Sequence, residues 1–296
     1  MRFCAPLRED VAAKTFDHPV FAGVRPWREW LTAKDWPGIA EMDAALANTT
    51  HATSGNRLRV VAQTPALLAD GLHYESRILE RAAIATRHGS WHDLLNALIW
   101  LAHSNIKSAL NARQVADIER VGRRARTLGQ CALTHFDEAG IVLVLRENAR
   151  LAAWDQHDWV GLLHGLEAAD FAVAVVGHAL LEHALQPGQL LVGKALVVIH
   201  PTPALGLPIS LQAIADAIGE QRILLDPQEL RPLPLVGLPG WHPQAGAIKF
   251  LQSAPCFAPK RKERRYPPAL TLSESDTFST ATWAADNRLG ASNAAA

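Results

Sequence analysis

Residues 86–114, TRHGSWHDLLNALIWLAHSNIKSALNARQ, constrain the fold more than any other stretch of the chain. They set Arg87, His92, Asp93, Asn96, His103, Lys107 and Asn111 into a segment that otherwise reads as buried helix. Polar groups at the edge of a core are costly unless hydrogen bonds or a ligand satisfy them. The segment therefore predicts either a structural hydrogen-bond network or a site. Ser90 is placed to cap a helix running to Leu101, and Ser104 to cap a second helix to about Arg120. His92 and Asn96 are four residues apart and share one face, while Leu94, Leu98 and Leu101 lie on another and belong to a core.

The rest of the chain surrounds this helical pair with mixed elements. Residues 24–33 and 37–48 carry apolar side chains at helical spacing, and Asp35 is placed to cap the second of them. Residues 57–63 (RLRVVAQ) predict a strand, and residues 74–83 a helix. Residues 131–146 predict a hairpin, with a turn over Asp137, Glu138, Ala139 and Gly140 between two β-prone runs. Residues 148–167 and 171–185 read as Leu- and Ala-rich helices, 190–200 as one or two buried strands, and 210–220 as a short helix capped by Ser210. Residues 230–241, punctuated by Pro and Gly, predict an ordered loop. The expectation is one α+β domain over 1–258, helix-rich with a small mixed or antiparallel sheet. A flexible tail over 259–296 follows, basic at 260–265 and then polar.

Composition narrows the class. With 49% hydrophobic and 20% charged residues the chain is globular rather than disordered. A formal net charge of zero gives no global field favouring nucleic acid or an anionic membrane. Three scattered cysteines make no CxxC pair, which argues against a disulfide framework or a cysteine-rich zinc site. No apolar run is long enough to span a bilayer and no signal peptide is visible, so a reducing cytoplasm is the default location.

Several motifs carry candidate chemistry. His178 and Glu182 in GHALLEH are spaced i, i+4, so both could hold one metal from a single helix. The spacing matches no zinc-peptidase motif, and a surface His–Glu pair explains it equally. Asp137 and Glu138, adjacent at a hairpin tip, would point to opposite faces, and Asp there also suits an ordinary turn. Residues 188–194 (GQLLVGK) have phosphate-loop spacing, but Ala195 stands where Ser or Thr is needed and the flanking elements are reversed. The basic runs at 120–126 and 260–265 lack aromatic interleaving and read as solvated surface.

The blocks TRHGSWHDLLNALIW, Tyr74-Glu75, THFDEAG, GHALLE and PLPLVGLPGW, in that order, resemble the domain of unknown function 3025 family of uncharacterised bacterial proteins. The resemblance spans about residues 20–260 and implies no activity. The positions it singles out are Arg87, Trp91, His92, Asp93, Asn96, Lys107, Asn111, Asp137, Glu138, His178, Glu182 and Trp241. His103-Ser104 and residues 256–260 depart from the family pattern.

Together these readings predict a cytoplasmic enzyme, of the metal-assisted hydrolase kind. His92, Asp93, Asn96 and Glu182 are its catalytic candidates, and His178 with Glu182 its divalent-metal ligands. Arg87, Lys107, Asn111 and Trp241 would bind a small anionic substrate. The alternative is a non-catalytic binding or scaffold protein whose polar residues lock helices together. A nucleic-acid processing role rests only on the two basic runs. The enzyme reading requires the residues around 92–96 and 178–182 to converge on one ligand.

Overall fold

A computed structural model describes residues 3–272. Its centre is a mixed sheet in the order β4-β3-β5-β6, built from β3 (Gly140–Leu145), β4 (Phe171–Val175), β5 (Val192–Ile199) and β6 (Arg231–Pro234), with β7 (Leu270–Thr271) also on β5. β3 runs parallel to β5 and antiparallel to β4. β6 and β7 pair with opposite ends of β5, antiparallel and parallel respectively. Every residue of β3 is buried, which is why GIVLVL reads as a continuous apolar run without alternation. Pro232 and Pro234 are tolerated in β6 because it lies at the sheet edge. A second, two-stranded parallel sheet joins β1 (Arg59–Ala62) to β2 (Ala83–Thr86).

Helices cover these sheets and share one core with them. The Trp91–Ala102 and Ser104–Val121 helices form the predicted helix–break–helix pair, with the break at His103. Ser90 caps the first as expected, its hydroxyl accepting from the Asp93 N–H at 3.3 Å. Ser104 caps nothing and is itself the first residue of the second helix. The chain is thus the helix-rich α+β fold expected, with a small mixed sheet.

Several local expectations give way. Residues 131–146 are no hairpin: Leu128–Ala139 is a helix that passes directly into β3. Thr127 and Gln130 close a capping box at its start, each accepting at 2.9 Å from the other's backbone N–H. Ala132, Leu133 and Phe136 then fall on one buried helical face. Gly140 has φ −69° and ψ 144°, so no left-handed turn exists. Glycine is needed there because a Cβ would collide with the Phe136 carbonyl and ring.

Residues 171–185 divide into β4 and the short His178–His183 helix, because FAVAV finds an open edge of β3. Gly177 at the join lies so close to the Ala139–Gly140 backbone that no side chain fits. The helix expected over 148–167 breaks into Ala149–Asp155 and Trp159–Leu163 around His157 at φ 56°. Ser210 is interior to the longer Pro203–Gly219 helix, donating to the Gly206 carbonyl at 2.7 Å. In the N-terminal part Gly38, not Asp35, precedes the Ile39–Ala45 helix.

The chain beyond residue 258 is anchored as far as it is described. Arg264 donates to the Leu230 carbonyl at 2.7 Å, the Tyr266 hydroxyl pairs with His157 Nε2 at 2.8 Å, and β7 joins the sheet. The polar part of the expected tail, 273–296, lies outside the described residues.

Candidate metal centre

Five helices meet around a cavity of about 300 Å³. The Trp91 helix presents His92 and Asn96, and the Ser104 helix presents Lys107 and Asn111. The end of the Leu128 helix supplies Asp137 and Glu138, and the first residue of the His178–His183 helix supplies His178. Tyr74 and Glu75 come from the start of the Tyr74–Arg81 helix.

One wall is a chain of hydrogen bonds. Lys107, only 4% exposed, donates through Nζ to Asn96 Oδ1 at 2.9 Å and makes a short ion pair with Asp137. Asn96 Nδ2 donates to the Tyr74 hydroxyl at 3.0 Å. Tyr74 is 36% exposed overall, yet that hydroxyl is inside the network. Asn111 Nδ2 donates to Glu75 Oε2 at 2.6 Å, and its Oδ1 faces His51 Nε2 at 3.1 Å. Asp93 takes both Nε (3.0 Å) and Nη2 (2.8 Å) of Arg87 and its backbone N–H at 2.6 Å. That pairing ties the end of β2 to the first turn of the Trp91 helix, where a carboxylate is also favoured by the helix dipole.

The other wall is built on two imidazoles. His92 Nε2 and His178 Nε2 are 3.1 Å apart, with the rings inclined at 80°. Glu138 Oε2 is 3.6 Å from His178 Nε2, and the three ligand atoms all lie within 4.8 Å of one another. Behind the rings, Glu182 Oε2 sits 3.0 Å from His92 Nδ1 and Asp137 Oδ2 sits 3.7 Å from His178 Nδ1. The Glu182 carboxylate favours the proton on His92 Nδ1, which leaves the His92 Nε2 lone pair facing His178, whereas His178 Nδ1 is buried without a hydrogen-bond partner. Such an apposition is repulsive unless a proton or a cation lies between the nitrogens. Two Nε2 atoms each about 2.0–2.1 Å from a tetrahedral zinc would be roughly 3.3 Å apart, close to the distance found. The donor set fits a borderline divalent cation.

The local electrostatics follow from burial and these partners. The bond to Glu182 outweighs desolvation and raises the His92 pKa. Burial pushes His178 down to about 3, so it stays neutral, as a metal ligand must. Burial, with Asp137 nearby, raises Glu138. Burial also acts to raise Asp137, but the opposing effects, led by the charge of Lys107 and its hydrogen bond, leave the carboxyl low. Burial first and Asp137 second push Glu75 up to about 7.

Of the residues singled out from the sequence, Arg87, His92, Asp93, Asn96, Lys107, Asn111 and His178 all line this cavity. Glu182 is not among its lining residues; it holds His92 from behind. Trp241 stands apart, packed edge-on against His18, whose Nε2 is 3.0 Å from the Trp241 carbonyl. Glu138, given an ordinary turn role by the hairpin reading, is the carboxylate that faces the imidazole pair. Glu75 was visible only as part of the Tyr74-Glu75 block, with nothing to mark its carboxyl as lining a site.

These features define a helix-rich α+β protein with a two-histidine, one-carboxylate cluster at the base of a polar cavity. The family described as a protein of unknown function (DUF3025) matches residues 58–261, and the chain belongs to it. The matched span contains His92, Glu138, His178 and Glu182, whereas His51 precedes it. No curated protein and no solved structure matches the chain. Among the described residues, no helix is long and apolar enough to cross a membrane.

Proposed function

We propose that this protein is an enzyme that holds one divalent cation on His92, His178 and Glu138 and uses it for metal-assisted hydrolysis. The observation that carries the reading is the 3.1 Å approach of two Nε2 atoms, with a carboxylate oxygen 3.6 Å from one of them. Three protein ligands leave further coordination positions for water and substrate, the arrangement of catalytic rather than structural zinc. A cation there would act as a Lewis acid and lower the pKa of water. Glu182 and Asp137 would fix the two rings, replacing the direct ligand role expected of Glu182.

The test is calorimetric titration of chelator-treated protein with zinc. One site per chain is expected, weakened at least about tenfold in His178→Ala and in Glu138→Gln. Uptake that neither substitution alters would overturn the reading. A second reading, a scaffold locked by its polar residues, draws on the burial of Lys107 between Asn96 and Asp137.

A further inference from the structure

The two cations of this cavity are both paired with carboxylates of the protein. Arg87 pairs Nε, Nη2 and its backbone N–H with the one carboxylate of Asp93, and its side chain, 57% exposed, is turned largely to solvent. Lys107 commits Nζ to Asn96 and Asp137 and lies 5.4 Å from the centre of the Trp100 ring. Among the described residues, no other Lys or Arg lines the cavity. Releasing Lys107 to grip an anion would strand the Asp137 carboxylate beside a buried site, and the charge of Arg87 is already balanced by Asp93.

The acids are differently placed. Asp93 and Asp137 are neutralised by these partners. Glu75 has no ion-pair partner among the described residues: its Oε2 accepts only from Asn111, a neutral amide oriented in turn by His51. A divalent cation on the imidazole pair would be matched by Glu138 and Glu182, which leaves the Glu75 charge in surplus. The polar lining is therefore slightly anionic with the metal in place.

Resting on the metal-centre reading above, we infer that the site takes a small neutral or positively charged polar substrate rather than an anion. The Glu75 carboxylate is the recognition group for that molecule's cationic or hydrogen-bond-donating end. This reverses the anionic substrate that Arg87 and Lys107 suggest in the bare sequence.

Two probes of equal chain length and opposite terminal charge separate these cases. Aminohexanohydroxamate and adipic acid monohydroxamate carry the same metal-binding head, one with an ammonium and the other with a carboxylate tail. Zinc uptake by the full chain is measured first. Binding of each probe to the zinc-loaded protein is then followed by calorimetry at about pH 8, where Glu75 is largely ionised. The ammonium probe is expected to bind about tenfold more tightly, and Glu75→Gln to reduce the difference to about twofold or less. Equal or tighter binding of the carboxylate probe overturns the inference while leaving the metal centre intact. So does failure of both probes to bind protein that has taken up zinc. Absence of zinc uptake removes the metal centre, and this inference falls with it.

Discussion

His92 and His178, 86 positions apart in the chain, face each other Nε2 to Nε2 at 3.1 Å. The approach is made possible by the Leu128 helix running into β3 without a loop, and by Gly177 lying against that junction. Asp137 and Glu138, in the last turn before the strand, are thereby set on two different atoms of the same imidazole.

The rings and their backing carboxylates make separable predictions. Zinc at about 100 times its dissociation constant should stabilise the wild type by roughly 2.7 kcal/mol, and His178→Ala, at least about tenfold weaker, by roughly 1.4 kcal/mol or less. Glu182→Gln keeps all three ligand atoms and should weaken zinc binding roughly 10–100-fold without abolishing it. Thermal denaturation with and without zinc reads both. Abolition by Glu182→Gln would restore that residue as a ligand in its own right.

Lys107 distinguishes a locked network from a loosely held one. Truncation to Met leaves the Asp137 carboxylate without its buried partner, at a cost of about 3–5 kcal/mol. The double variant Lys107→Met with Asp137→Leu should recover part of that loss, since no charge is then stranded. Urea denaturation of the wild type, both single variants and the double variant tests this. A double variant worse than the sum of the singles would mean that the ion pair is not what holds these helices.

How much of this was legible in the sequence follows from the range of each interaction. The Ser90 cap and the His92–Asn96 spacing are local, set within one or two helical turns, and both could be read. The α+β class was also visible, because β3 and β5 are long apolar runs that only a covered sheet accommodates. The Leu128 helix was not. Cys131, Thr134 and Phe136 are β-prone and lead into Ile141 and Val142, while the opposing signal, the Thr127–Gln130 capping box, lies just upstream of the run. Misplacing that helix hid Glu138, because a hairpin tip gives it no relation to His178. The partner of Glu182 was out of reach of the sequence for a related reason. Its i, i+4 spacing to His178 is visible locally, but its bond is to His92 on another helix, and no sequence pattern records that choice. Trp241 came from the family resemblance alone, which does not say what a position touches.

Gly140 should tolerate no side chain. A Cβ would meet the Phe136 carbonyl and ring inside the helix–strand junction, where neither backbone can retreat. Gly140→Ala is therefore expected to destabilise by roughly 1–3 kcal/mol, in the range of overpacked cores. The shift also moves Asp137 and Glu138, so zinc affinity should fall with it. Equilibrium unfolding and zinc titration of the one variant measure both, and an unchanged midpoint would mean the junction is looser than its geometry implies.

Glu75 supplies the pH dependence. Its carboxyl has an ordinary pKa of 4.5 and is pushed by burial to about 7 in the folded chain. The folded state thus holds this proton more tightly than the unfolded state, so between those two values it binds more protons. Stability contributed by this group then falls as pH rises, the reverse of the usual paired carboxylate. Below about 4.5 the group is protonated in both states, and above about 7 it is ionised in both; in neither range does it add a slope. Glu75→Gln keeps an acceptor for Asn111 but cannot ionise. Relative to wild type the variant should therefore gain stability across the pH 4.5–7 window and hold that gain above it. The gain is about 2 kcal/mol once solvent contact of the half-buried carboxylate is discounted. Chemical denaturation of both proteins at closely spaced pH values gives the difference curve, in which groups common to both cancel. A flat curve would show that the Glu75 carboxyl titrates alike in the folded and unfolded chain.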